Sequence, residues 1–117
     1  MSDKEKRKLR RRPLLGEVRV RPSGGQEWVE ALVLNISRGG IGLYASQRIR
    51  KGQKVDIRIS YLEGSRLKEV EQIPGKVRWV QAIGSHLAIG IMFEEKITRK
   101  TFPVLNRCLA YAAGIKD

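Results

Sequence analysis

Arg7 and Arg11 stand four residues apart in a basic opening segment, and Asn35-x-Ser37-x-x-Gly40 follows within Asn35-Ile-Ser-Arg-Gly-Gly-Ile-Gly-Leu43. The arginines offer planar forks of donors that pair bidentately with phosphate oxygens or with the O6/N7 edge of guanine. The second pattern offers a short amide and a hydroxyl at fixed turn positions, while Gly39, Gly40 and Gly42 permit positive φ or close approach of a ligand to the backbone. Taken alone, each half also has a local use. Asn35 and Ser37 can hydrogen-bond their own turn, and the arginines can form a solvated basic tail.

The rest of the composition narrows the chemistry. At 117 residues and 41% apolar content the chain has room for one domain with one core. No run approaches the roughly 18 apolar residues of a membrane span, and no apolar signal stretch follows the charged start, so a soluble, cytoplasmic protein is expected. Cys108 and His86 are the only residues of their types, which leaves neither a disulfide framework nor a Cys/His zinc cluster within one chain. Neither a metal nor a cofactor is expected. The net charge is +12; residues 1–12, where seven Lys/Arg face only Asp3 and Glu5, supply +5 of it, and the rest is spread over the body. Anionic partners are favoured, whether nucleic acid, nucleotide or acidic protein.

Residues 1–13 lack apolar periodicity and end at Pro13, so they are expected to form an arm that is disordered until something orders it, ahead of a domain over 14–117. Val18 and Val20 alternate with Arg19 and Arg21 as in a half-buried strand, and Pro22-Ser-Gly-Gly25 turns the chain. From Glu27 to Ile36 the apolar residues are almost continuous, which suits a strand buried on both faces. The Asn35–Gly40 turn separates it from Ile41, Leu43 and Ala45. Val55, Ile57, Ile59 and Tyr61 form the next alternation, ending at Glu63-Gly64-Ser65. An extended segment then runs from Leu67 to Gln81, with a bulge or kink expected at Pro74-Gly75. Gly84-Ser85 turns it into a last strand, Leu87 to Phe93. Six antiparallel strands with short connections favour a closed barrel, because closure removes exposed edges. Val104, Leu105, Cys108, Leu109, Ala112 and Ala113 fall at helical intervals, with Thr101 as cap, Pro103 in the first turn and Gly114 as terminator.

Competing motifs fare poorly. Gly40-Ile-Gly42-Leu-Tyr-Ala45 matches the Gly-x-Gly-x-x-Gly/Ala dinucleotide fingerprint, but a strand and not a helix follows it. His86 sits beside Ser85 in a turn with no acidic orienter, Cys108 lies on the apolar helix face, and Trp79 is assigned to the core or barrel wall. No constellation for catalysis is present, so no enzymatic activity is expected.

With Gly75-Lys-Val-Arg-Trp79 and Gly90-Ile-Met-Phe93 following the two half-motifs in order, nearly the whole chain resembles the PilZ domain family. The resemblance implies a mainly β fold, a six-stranded antiparallel barrel with a C-terminal α-helix, in which the arginine arm wraps cyclic di-GMP against the barrel. Residue by residue, it implies ligand roles for Arg7, Arg11, Asn35, Ser37 and Gly40. Lys6, Arg10, Arg12, Gly39 and Gly42 are secondary candidates. Asn35 stands where the family has Asp or Asn, and its amide lacks the carboxylate charge that pairs best with guanine N1–H and N2–H. The function implied is that of a monomeric bacterial receptor that presents a changed surface to a downstream protein. Two alternatives remain: a PilZ-like adaptor that binds protein without nucleotide, and a basic barrel for single-stranded nucleic acid. The latter is disfavoured because 6% aromatic residues supply few stacking platforms.

Overall fold

A computed structural model describes residues 14–46, 49–63 and 66–112. The segment 1–13, the turn residues Gly64 and Ser65, and Ala113 and Gly114 of the expected helix end lie outside them. Period-2 alternation builds the barrel. Val18 and Val20 on β1 (Leu14–Pro22) point inward together with Val55, Ile57, Ile59 and Tyr61 on β4 (Lys54–Glu63), none more than 3% exposed. Strands β2 (Val29–Ile36), β3 (Gly40–Ala45), β5 (Arg66–Ile83) and β6 (His86–Phe93) complete a closed six-stranded barrel in the order β1-β2-β3-β6-β5-β4, all pairs antiparallel. Closure places the β3–β6 pair across the barrel from the β1–β4 pair. The tight β1–β2 and β5–β6 turns rest on Gly24 (φ 79°) and Gly84 (φ 62°), a backbone region that side chains with a Cβ rarely adopt.

β2 departs from the expectation of burial on both faces. Ala31 and Val33 pack against the core, whereas Leu32 and Leu34 are 68% and 52% exposed. The wall is one layer thick and has a single dry face, so a continuous apolar run on it leaves alternate residues outside. The break expected at Pro74-Gly75 is also absent. Asp56↔Pro74 and Val55↔Gly75 pair in register, and the Pro74 carbonyl accepts from Glu94 N–H at 3.0 Å. The N–H and C=O of a strand residue point to the same side. The donor that proline lacks would therefore face β6, where pairing has just ended, and not β4.

The C-terminal helix α1 (Pro103–Ala112) adds Val104, Leu105 and Leu109 to the core, with Phe102 before it and Cys108 packed alongside. Its cap differs from the expected one. Thr101 Oγ1 donates to the Lys96 carbonyl (2.7 Å) and accepts from Thr98 N–H (3.1 Å), turned away from the helix. The first-turn N–H groups of Val104 and Leu105 instead donate to Glu71 of β5, at 3.2 and 2.9 Å, and Glu71 also accepts from Tyr61 O–H at 2.8 Å. A carboxylate at a helix N-terminus satisfies orphan donors and complements the helix dipole. Here it also ties the helix to the sheet.

Glu71→Ala removes these three bonds and should cost about 2–3 kcal/mol, lowering the melting temperature by roughly 10 °C. Glu71→Gln, which keeps one acceptor oxygen, should lose less. Thermal melts followed by circular dichroism check this; an alanine variant melting with the wild type would mean that packing alone holds α1.

Candidate functional site

Two bulges shape one outer wall of the barrel. On β2 the register shifts between Val33 and Asn35, leaving Leu34 as the extra residue; on β5 it shifts between Val77 and Trp79, leaving Arg78. Each bulge reverses the alternation downstream of it. Val33 faces inward opposite Leu43, but Asn35 faces outward opposite Gly42; Val77 pairs with Ile91, but Trp79 turns outward opposite Gly90. Because Gly42 and Gly90 pair with each other, Asn35, Gly42, Gly90 and Trp79 form a single row across four strands.

The two central glycines make this row possible. A Cβ at Gly90 would overlap the Trp79 indole at Nε1 and Cε2, and one at Gly42 would come within 2.8 Å of Asn35 Oδ1. A Cβ at Gly40 would overlap the Ile91 carbonyl. Gly40 and Gly42 thus serve close approach, whereas a Cβ at Gly39 would meet nothing within 4 Å; the positive φ values fall at Gly24, Gly52 and Gly84. Gly42 and Gly90 belong to a groove of about 360 Å³, walled by Asn35 and Ser37 on one side and Arg78 and Trp79 on the other, with Met92 at its end. Arg78 Nη1 lies 3.4 Å from Met92 Sδ, which lays the guanidinium along the rim.

The β2–β3 turn is fixed by its own atoms and by its neighbours. Ser37 N–H donates to the Gly40 carbonyl (2.9 Å), Ser37 Oγ accepts from Gly39 N–H (3.3 Å), and the Gly39 carbonyl accepts from Phe93 N–H (2.9 Å). The Arg38 guanidinium reaches the other way, to Asn106 Oδ1 of α1 (2.5 Å) and the Ile97 carbonyl (3.2 Å).

The groove therefore combines the indole of Trp79, a residue 44% exposed, with an amide, a hydroxyl and a guanidinium, and no acidic residue lines it among the described residues. Such a surface accepts a planar, electron-rich ring system that carries negative charge. A larger cavity of about 390 Å³, lined in part by Tyr44, His86, Glu17 and Glu30, suits an anion less well because carboxylates stand at its edge. His86 stacks on Tyr44 there, ring centroids 4.9 Å apart.

Of the residues expected at the site, Asn35, Ser37, Gly39, Gly40 and Gly42 converge on the groove. Arg7 and Arg11, with Lys6, Arg10 and Arg12, lie outside the described residues. Two lining residues were missed. Trp79 is not a core residue, and Arg78, the bulged position, is its neighbour on the rim. The sequence did carry a sign of both bulges. Strict alternation from Val77 through Trp79 would turn polar Gln81 inward, and from Ala31 through Val33 it would turn Asn35 inward, whereas Val80 and Ile36 stand one residue out of phase.

No curated protein sequence matches the chain. Among solved structures, it is similar to that of the Bacillus subtilis inhibitor of motility (MotI/DgrA), with a TM-score of 0.63 and 17% identity over 89% of this chain. The match covers 50% of that chain, so this one spans about half its length. At that identity the likeness speaks for the barrel fold alone. The model of the PilZ domain matches residues 5–111, from the basic segment through α1. With nearly its whole length matched, the chain belongs to the PilZ domain family.

Proposed function

We propose that this protein is a non-enzymatic receptor for cyclic di-GMP, bound in the groove over Gly42 and Gly90. The carrying observation is the row Asn35–Gly42–Gly90–Trp79, in which an amide and an indole lie over two strand positions without side chains and border one groove. One guanine would lie in that groove, with its polar edge toward Asn35 and Ser37 and a face toward Trp79. Arg78 is placed to donate to phosphate or to guanine O6/N7. Arg7 and Arg11 would supply the remaining charge-assisted bonds from residues 1–13, and the surface formed by arm and ligand together would be what a downstream protein reads. Membership of the PilZ family supports the ligand class, and the name of the similar inhibitor of motility suggests motility control as one output. Among the described residues no helix is long and apolar enough to cross a membrane.

Isothermal titration should show cyclic di-GMP binding far more tightly than GTP or cyclic di-AMP, since adenine presents N6–H₂ where guanine presents O6 to an arginine donor. Arg7→Ala or Arg11→Ala should each remove roughly 1.5–3 kcal/mol, about ten- to more than hundredfold in affinity, while exposed Lys51→Ala should change little. Equal affinity for cyclic di-AMP, or equal losses from Lys51 and Arg11, would contradict the assignment.

The groove makes a separate prediction. Trp79→Ala should weaken binding by about 1–3 kcal/mol through lost stacking. Gly90→Ala should weaken it comparably by displacing the indole while the barrel stays folded. Unchanged titration curves for both variants would place the ligand elsewhere.

A further inference from the structure

The turn that presents Asn35 and Ser37 to the groove is also held by the C-terminal helix. Arg38 lies inside the motif, yet it is absent from the groove lining; its guanidinium donates to Asn106 Oδ1 and to the Ile97 carbonyl, 68 and 59 residues further along the chain. Asn106, 7% exposed, is the buried polar side chain of the described core, and Ile97, 4% exposed, packs in the same cluster. The helix that carries Asn106 has a second polar tether at Glu71, and the Gly39 carbonyl is held by Phe93 at the end of β6. Groove wall, β6 end and α1 thus meet at three consecutive residues, Ser37, Arg38 and Gly39.

We propose that Arg38 is a positioning residue that couples the groove to α1: it holds Asn35 and Ser37 in their binding arrangement, and a ligand that fixes the turn in turn fixes the helix. The inference rests on the groove being the cyclic di-GMP site. Energetic coupling between two sites is reciprocal: the factor by which the ligand stabilises the ordered helix is the factor by which the ordered helix tightens the ligand. A clamp from one exposed arginine to one buried amide suits this role, because both its bonds are made by a side chain that contributes little apolar area to the core. Losing it need not unfold the barrel.

The test pairs titration of cyclic di-GMP with hydrogen–deuterium exchange of the full chain, for the wild type, Arg38→Met, Arg38→Lys and Asn106→Leu. In the wild type, ligand should slow exchange of the α1 amides. In Arg38→Met and Asn106→Leu, ligand-free α1 should exchange faster while β4 amides stay protected, ligand should no longer slow α1, and affinity should fall about tenfold. Arg38→Lys, which can reach one of the two acceptors, should recover part of the affinity and part of the ligand-dependent protection. A role in stability alone would speed exchange everywhere and leave the ligand's effect on α1 intact. Arg38→Met binding as tightly as the wild type would overturn the coupling and leave the receptor reading standing. A wild type that binds no cyclic di-GMP would remove that reading first, and the coupling with it.

Discussion

Two glycines facing each other on β3 and β6 constrain the rest of this wall. Gly42 pairs with Gly90, and the space their missing side chains leave is occupied from one side by Asn35 and from the other by Trp79. Neither neighbour could lie where it does over an alanine. The bulges on β2 and β5 follow from the same need: without an extra residue at Leu34 and at Arg78, Asn35 and Trp79 would face the core and the outer wall would carry no groove. Glycine in a strand interior ordinarily weakens the sheet, and here the closed hydrogen-bond ladder on both sides of β3 and β6 offsets that cost.

Much of the fold was legible because a barrel of this size is written in alternation. Val55, Ile57, Ile59 and Tyr61 read as one inward face, and the turns at Gly24 and Gly84 read as turns, since each signal is local. What escaped was decided at a distance. Thr101 is a good cap on local grounds, but Glu71, 33 residues before Val104, reaches the same donors with a full charge. Pro74 breaks strands in general and leaves this one intact because β6 stops beside it. Trp79, expected in the core or barrel wall, faces outward on the groove because a bulge at Arg78 reverses the alternation before it. The signs of that bulge, Val80 and Gln81 out of phase, are visible only once the strand is known to be half-buried. The polar half of the candidate site was legible from types and spacing, and the indole half was not.

The opposite wall is built differently. There Arg21 and Arg58 lie 4.3 and 4.5 Å from the Trp28 ring centroid, Arg21 Nε is 3.3 Å from Asp56 Oδ2, and Arg19 lies 3.5 Å from Glu17 and 3.8 Å from Glu30. These three arginines have an aromatic face or a carboxylate close by. Among the described residues the groove lining has a guanidinium and an indole face and no carboxylate. A strongly basic protein thus offers two arginine–tryptophan surfaces, and they differ in what is left for a ligand: on the β1–β4 side the named charges are engaged within the protein, and on the β3–β6 side Arg78 borders the groove.

Because these two surfaces face away from each other, amide and indole chemical-shift mapping during titration with cyclic di-GMP separates them directly. The account predicts that the largest shifts fall on the backbone from Asn35 to Gly42, on Gly90 and on the Trp79 indole N–H, with Arg21, Trp28 and Arg58 little changed. Shifts centred on Trp28 and its arginines, with the glycine row unmoved, would contradict it.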